Sequence, residues 1–156
     1  MKKNKFSKNW IIKQKRDIYV KKSKLEGYRS RAVYKLQEIN DKFKIIKNNI
    51  LVIDLGAAPG SWSQYISRNF GNSKIISIDL KDIEPIKNLV HIKGDFTEEQ
   101  QKKSIKSYFG KKVDLVVSDM AVNTTGNKSV DSLVTGELCI EAVSYTHLRA
   151  HETPAN

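Results

Sequence analysis

Beyond Asn49 short β-branched runs alternate with amphipathic segments, and that rhythm predicts the fold. "NILVIDL" reads as a buried strand, "SWSQYISRNFG" as a helix closed by Gly71, "SKIISIDL" as a second strand and "LVHIKGD" as a third. "EEQQKKSIKSYFG" then reads as a helix ending at Gly110, "VDLVVSD" as a fourth strand and "VDSLVTGELCIEAV" as a further helix. Alternation of this kind predicts an α/β fold with a doubly wound, mostly parallel sheet and right-handed crossovers. Upstream the pattern is helical. A weak periodicity from Trp10 to about Lys24 ends near Gly27, and a clearer helix covers Ser30 to Phe43. In that second helix Ala32, Val33, Leu36, Ile39 and Phe43 fall at three- and four-residue steps, Ser30 is placed to cap it, and Lys35 lies at the edge of the apolar face.

The 156 residues suffice for one sizeable core, so a single domain is expected over residues 10–143, with basic helices in 10–48 and the first half of the sheet in 49–143. Residues 1–9 read as a disordered basic arm. From Ser144 the sequence "SYTHLRAHETPAN" is out of character, offers no apolar run and is set apart as a foreign tail, which leaves the sheet without its C-terminal strands. His147 and His151, with Glu152 beside the second, amount to half a metal site; lacking a third ligand they predict no metal. Cys139 is the only cysteine, so no internal disulfide forms and a reducing, cytoplasmic setting is expected. No apolar run approaches the ~18 residues of a membrane span, and "WII" is too short for a signal sequence.

Charge changes the picture. Of the formal net +11, residues 1–49 hold sixteen Lys and Arg against four acids, while the rest is close to neutral. A general Lys bias would spread along the chain; a basic first third points to a polyanion-binding surface, with Lys21, Lys22, Arg29 and Arg31 as its candidate face.

The chemistry centres on "VIDLGAAPGSW", residues 52–62. Ligands of open parallel sheets bind beyond the carboxyl ends of the strands, and the first strand ends at this turn. Gly56 permits backbone conformations closed to other residues, and Gly60 allows close approach at a helix N-terminus. The phosphate-loop pattern is absent, and Ala58 stands where a dinucleotide fingerprint needs its second glycine. A nucleoside without a pyrophosphate fits better. Asp79, at the end of the second strand, is placed to accept both ribose hydroxyls; Asp95 is placed to accept from an exocyclic amine, with Phe96 offering an apolar face. Each of Asp54, Asp79, Asp95 and Asp119 could merely cap the helix that follows it. Four in series beside the glycine turn instead predict S-adenosylmethionine as cofactor.

"RSRAVYKLQEI", "VIDLGAAPGSWSQYI", "GDF" and "VVSDMAVNTTG", in this order, resemble the FtsJ-type (RlmE) ribosomal RNA large-subunit methyltransferases from about Trp10 to Val143. The resemblance implies a Rossmann-like methyltransferase fold and a monomer. It also implies methylation of the 2′-hydroxyl of a uridine ribose in the 23S rRNA A-loop of the assembled 50S subunit. It further implies that Gly60, Trp62, Asp79, Asp95 and Asp119 contact S-adenosylmethionine. Lys35 and Asp119 match the first two members of the family's Lys-Asp-Lys-Glu tetrad, with Lys35 orienting the ribose and Asp119 holding the lysines.

A ribose hydroxyl is a weak acid, and a lysine accepts its proton only when its pKa falls from about 10.4 toward neutrality. The second lysine and the glutamate of the tetrad belong to family segments after Val143, for which no counterpart is expected here. The non-enzymatic alternative is therefore an rRNA-binding fragment that retains the basic helices without turnover. Base-directed methylation is disfavoured, because "SDMAVN" carries neither an Asn-Pro-Pro-Tyr-like grip nor a cysteine nucleophile.

Overall fold

Two mostly apolar strands, buried on both faces, make the middle of the sheet: β1 (Leu51–Leu55), which holds Asp54 inside, and β2 (Lys74–Asp79), which holds Ser77. The computed structural model describes residues 13, 17–109, 113–120 and 125–147. β3 (Leu89–Lys93) flanks β2 and β4 (Leu115–Ser118) flanks β1, giving the order β3-β2-β1-β4 with every pairing parallel. After β3 the chain returns across the sheet to place β4 on the other side of β1. The crevice at the carboxyl ends of β1 and β4 is the switch point where such sheets bind ligands.

Successive side chains of a strand face opposite sides, and β1 divides accordingly. Val52 joins Val33, Tyr34, Leu36, Trp62, Tyr65, Ile66 and Ile75 in the core beneath α2 (Val33–Phe43) and α3 (Ser61–Asn69). Ile53 and Leu55 face the other way and pack with Ile76, Ile78, Phe96, Ile105, Val113 and Tyr145 beneath α4 (Glu99–Phe109). The remaining helices are α1 (Ile18–Leu25), capped by the Asp17 carboxylate on the N–H of Tyr19, and α5 (Lys128–Ser144). The Asn127 side chain caps α5 by accepting from the N–H groups of Ser129 and Val130.

Every strand and helix expected between residues 30 and 143 is present, within a few residues at the ends. Three details differ. In α2 the buried stripe is Val33, Leu36 and Asn40, with Tyr34 beside it, while Ile39 and Phe43 are exposed. The helix is rolled by the return of the chain after it, where Oδ1 of buried Asn40 accepts the N–H of Ile46 at 2.9 Å. Ala32 rather than Ser30 occupies the N-cap position of α2; the Ser30 hydroxyl stands just before it, accepting the Ala32 N–H at 3.2 Å and pairing with the Ser61 hydroxyl at 2.7 Å. Third, Tyr145, which the sequence set apart with the tail, is fully buried in a 3₁₀ turn (Tyr145–His147), its hydroxyl donating to the Phe96 carbonyl. The early part of the helix expected from Trp10, and all of the tail after His147, lie outside the described residues.

Candidate functional site

The glycine turn leaves β1 with Gly56 at φ 67° and reaches α3 with Gly60 at φ 93°, both in the left-handed region. The N–H groups of Gly56 and Ala57 donate to the carbonyl of Ile78, at 2.8 and 3.2 Å, so the turn is laced to the end of β2. Asp79 completes that lacing: Oδ2 accepts the Ala58 N–H at 2.8 Å and Oδ1 accepts the Lys81 N–H at 2.9 Å. Conformation favours glycine at both positions, and at Gly56 space does so too. A methyl at Gly56 would stand 2.1 Å from the Met120 side chain, and one at Gly60 2.8 Å from the Arg29 guanidinium.

The four strand-end acids are brought to one edge of the sheet in different states. Asp54 is buried and accepts both the Ser63 N–H, at 3.1 Å, and the Ser63 hydroxyl, at 2.7 Å. Burial pushes its pKa from 3.8 up to about 7 against the lowering effect of those bonds, with the charges of Asp79 and Asp119 adding to the rise. Asp95 accepts the N–H and hydroxyl of Thr97, at 2.9 and 2.7 Å, and sits beside the end of β2, where the Gly94 N–H donates to the Asp79 carbonyl. Asp54 and Asp95 thus make the local bonds of capping residues. Asp119, just past β4, differs: its Oδ1 receives Lys35 Nζ from α2 at 2.7 Å, a pair that joins parts of the chain 84 residues apart.

The other residues named from sequence fall less directly into place. Trp62 is buried, and its indole N–H donates to the Ala32 carbonyl at 2.7 Å, tying α3 to the start of α2. The Phe96 ring packs in the core against Tyr145, 6.3 Å between centroids. Arg31 is committed to Asp17. Arg29 turns inward, one guanidinium nitrogen donating to the Pro59 carbonyl at 3.0 Å and the other to Pro85 at 3.1 Å. Sequence reasoning placed both arginines with the polyanion-facing lysines and missed Met120, which only the close approach to Gly56 reveals. A groove of about 840 Å³ opens beside the pair formed by Lys35 and Asp119, lined among others by Tyr19, Tyr28, Arg29 and Arg31. Among the described residues no group of three or more His, Cys, Asp and Glu is placed to hold a metal, and no helix is long and apolar enough to cross a membrane.

A parallel sheet in the order 3-2-1-4, with a glycine turn after β1 and acids at the strand ends, defines a Rossmann-like methyltransferase domain. The residues fit S-adenosylmethionine: the turn after β1 runs through two left-handed glycines, and the carboxylates of Asp79 and Asp95, able to accept from hydroxyl and amine donors, stand at the ends of the neighbouring strands. Comparison with known proteins gives the family. The model of the FtsJ-like methyltransferases matches residues 28–153, and the chain belongs to that family.

The chain is 61% identical over 146 residues to the ribosomal RNA large subunit methyltransferase E of Pelagibacter ubique, covering 94% of this chain and 72% of that protein. It is 48% identical to the protein of the same description from Rickettsia akari, covering 89% of this chain and 64% of that protein. Among solved structures, a ribosomal RNA methyltransferase from Plasmodium falciparum superposes with a TM-score of 0.70 at 35% identity, over 78% of this chain and 72% of that one.

Proposed function

We propose that the chain methylates a ribose 2′-hydroxyl in ribosomal RNA, in particular a uridine of the A-loop in the assembled large subunit. The observation that carries this reading is the pair Lys35–Asp119, 2.7 Å apart at the carboxyl edge of the sheet and opening on a groove lined by tyrosines and arginines. The names of the relatives from Pelagibacter and Rickettsia support the RNA substrate.

S-adenosylmethionine supplies, when bound, a methyl group on a sulfonium that needs only an in-line nucleophile. The protein's task is then to place an oxygen and manage its proton. Lys35, held by Asp119, directs its remaining N–H donors into the groove, where they orient a ribose hydroxyl. Asp119 fixes that ammonium and lies next to Met120, which rests on the glycine turn, so it links the substrate and cofactor sides. Asp79 and Asp95 serve the ribose and the exocyclic amine of the cofactor. Gly60 and the backbone at Trp62 face its methionine end. Excess cations on the N-terminal helices draw in the phosphate backbone.

The test is transfer of a labelled methyl from S-adenosylmethionine to large ribosomal subunits, followed by alkaline hydrolysis of the RNA. A methylated 2′-oxygen cannot attack its phosphate, so the label is expected in alkali-resistant dinucleotides. Label on a base, or in mononucleotides, refutes the reading.

A further inference from the structure

We infer that Arg29 holds the carboxylate of the cofactor's methionine moiety, an inference that rests on the placement of that moiety at the glycine turn. Arg29 departs from its neighbours in what it touches. Arg31 is neutralised by Asp17 and Lys35 by Asp119, whereas among the described residues no carboxylate lies within ion-pair distance of Arg29. Its guanidinium is nevertheless held in place, with one N–H donated to the Pro59 carbonyl and another to Pro85. Its backbone N–H donates to Gln64 Oε1 at 3.1 Å. A guanidinium carries five N–H donors, so donors remain for a further acceptor.

Position supplies the second argument. The guanidinium nitrogen bound to Pro59 is 2.8 Å from where a Cβ of Gly60 would be, so a cation rests directly against the glycine turn. Gly60 is also the N-cap of α3 and provides no side-chain cap; Asp54 accepts the Ser63 N–H in the first turn, and the start of the helix adjoins the same guanidinium. Asp79 and Asp119 both stand near enough to Asp54 to act on it electrostatically. A ligand carboxylate entering so acidic an edge needs a fixed counter-charge, and Arg29 is a cation of the same groove as Asp119 that no acid claims. The arrangement also couples the two substrates. Arg29 leads into α2, which carries Lys35, so an occupied carboxylate site steadies the helix that orients the RNA ribose.

The experiment is a comparison of two ligands that differ by one carboxylate: S-adenosylmethionine and its decarboxylated analogue, titrated calorimetrically into the chain and its Arg29→Gln variant. Loss of a charge-assisted bidentate contact predicts about 10- to 100-fold weaker binding of S-adenosylmethionine to the variant, with the decarboxylated analogue changed by less than about twofold. Arg29→Lys, which keeps the charge without the fork, is expected to fall between. Equal weakening of both ligands assigns Arg29 a purely structural role as a staple of the two prolyl carbonyls and overturns the inference; so does no weakening of either. Failure of the unaltered chain to bind S-adenosylmethionine is a different result, and refutes the cofactor placement beneath it.

Discussion

Asp54 places an ionisable group beneath the cofactor edge, and replacing it with asparagine tests whether burial governs its proton. The carboxyl is 2% exposed, and its Oδ2 accepts two bonds from Ser63. Burial outweighs those bonds, and the pKa moves from 3.8 to about 7. Between those values the folded chain holds a proton that the unfolded chain has released. The stabilisation is therefore complete below about pH 4 and is lost as the pH rises through about 7. A tenfold change in proton affinity corresponds to about 1.4 kcal/mol, so ionisation of Asp54 removes on the order of 4 kcal/mol between acid and neutral pH. Asparagine keeps the shape and can still accept from Ser63 without ionising. Urea unfolding of both proteins from pH 4 to pH 8 should show stability curves that diverge by roughly that amount as the pH rises, Asp54→Asn having the flatter one. Parallel curves would refute the argument, because they would mean that Asp54 stays ionised in its buried position.

Three further outcomes are expected. Lys35→Met should lower methyl transfer by about 10²-fold while leaving S-adenosylmethionine affinity and stability nearly unchanged, since the ion pair is half exposed and worth at most about 1 kcal/mol; a parallel loss of cofactor binding would place Lys35 on the cofactor side. Tyr145→Ala should cost about 3–5 kcal/mol in urea unfolding, because a fully buried ring leaves a cavity beside Phe96 and Ile105; a change under about 1 kcal/mol would show that the 3₁₀ turn does not support the core. Replacing Lys21 with glutamine should flatten the salt dependence of RNA binding by up to about one phosphate contact, whereas Lys22→Gln and Arg31→Gln should change it less because Glu26 and Asp17 already pair with those cations. Equal slopes for all variants would put the RNA elsewhere.

The architecture was legible in the sequence because its signals are local. β-Branched runs without alternation specify buried parallel strands, and the three- and four-residue spacing around Leu36 specifies a helix whatever surrounds it. Asp79, Asp95 and Asp119 could be assigned to one edge because parallel strands point the same way, so residues at their ends converge. The glycine turn excluded a dinucleotide through one residue, Ala58.

Tertiary structure decided what each side chain faces. Arg29 and Arg31 are two residues apart, yet one is drawn to the glycine turn by two prolyl carbonyls and the other to Asp17; no pattern along the chain encodes that difference. Trp62 carries its indole N–H to Ala32 because α3 packs on the start of α2, and Ile39 remains exposed because the chain after α2 folds back on Asn40. Tyr145 enters the core although its segment has no apolar periodicity, since one aromatic ring at the end of α5 fills the space that Phe96 and Ile105 leave. Periodicity and turn chemistry act over a few residues and can be read in order. Burial, charge pairing and the choice of partner depend on groups distant in sequence, and they exist only once the sheet has brought those groups together.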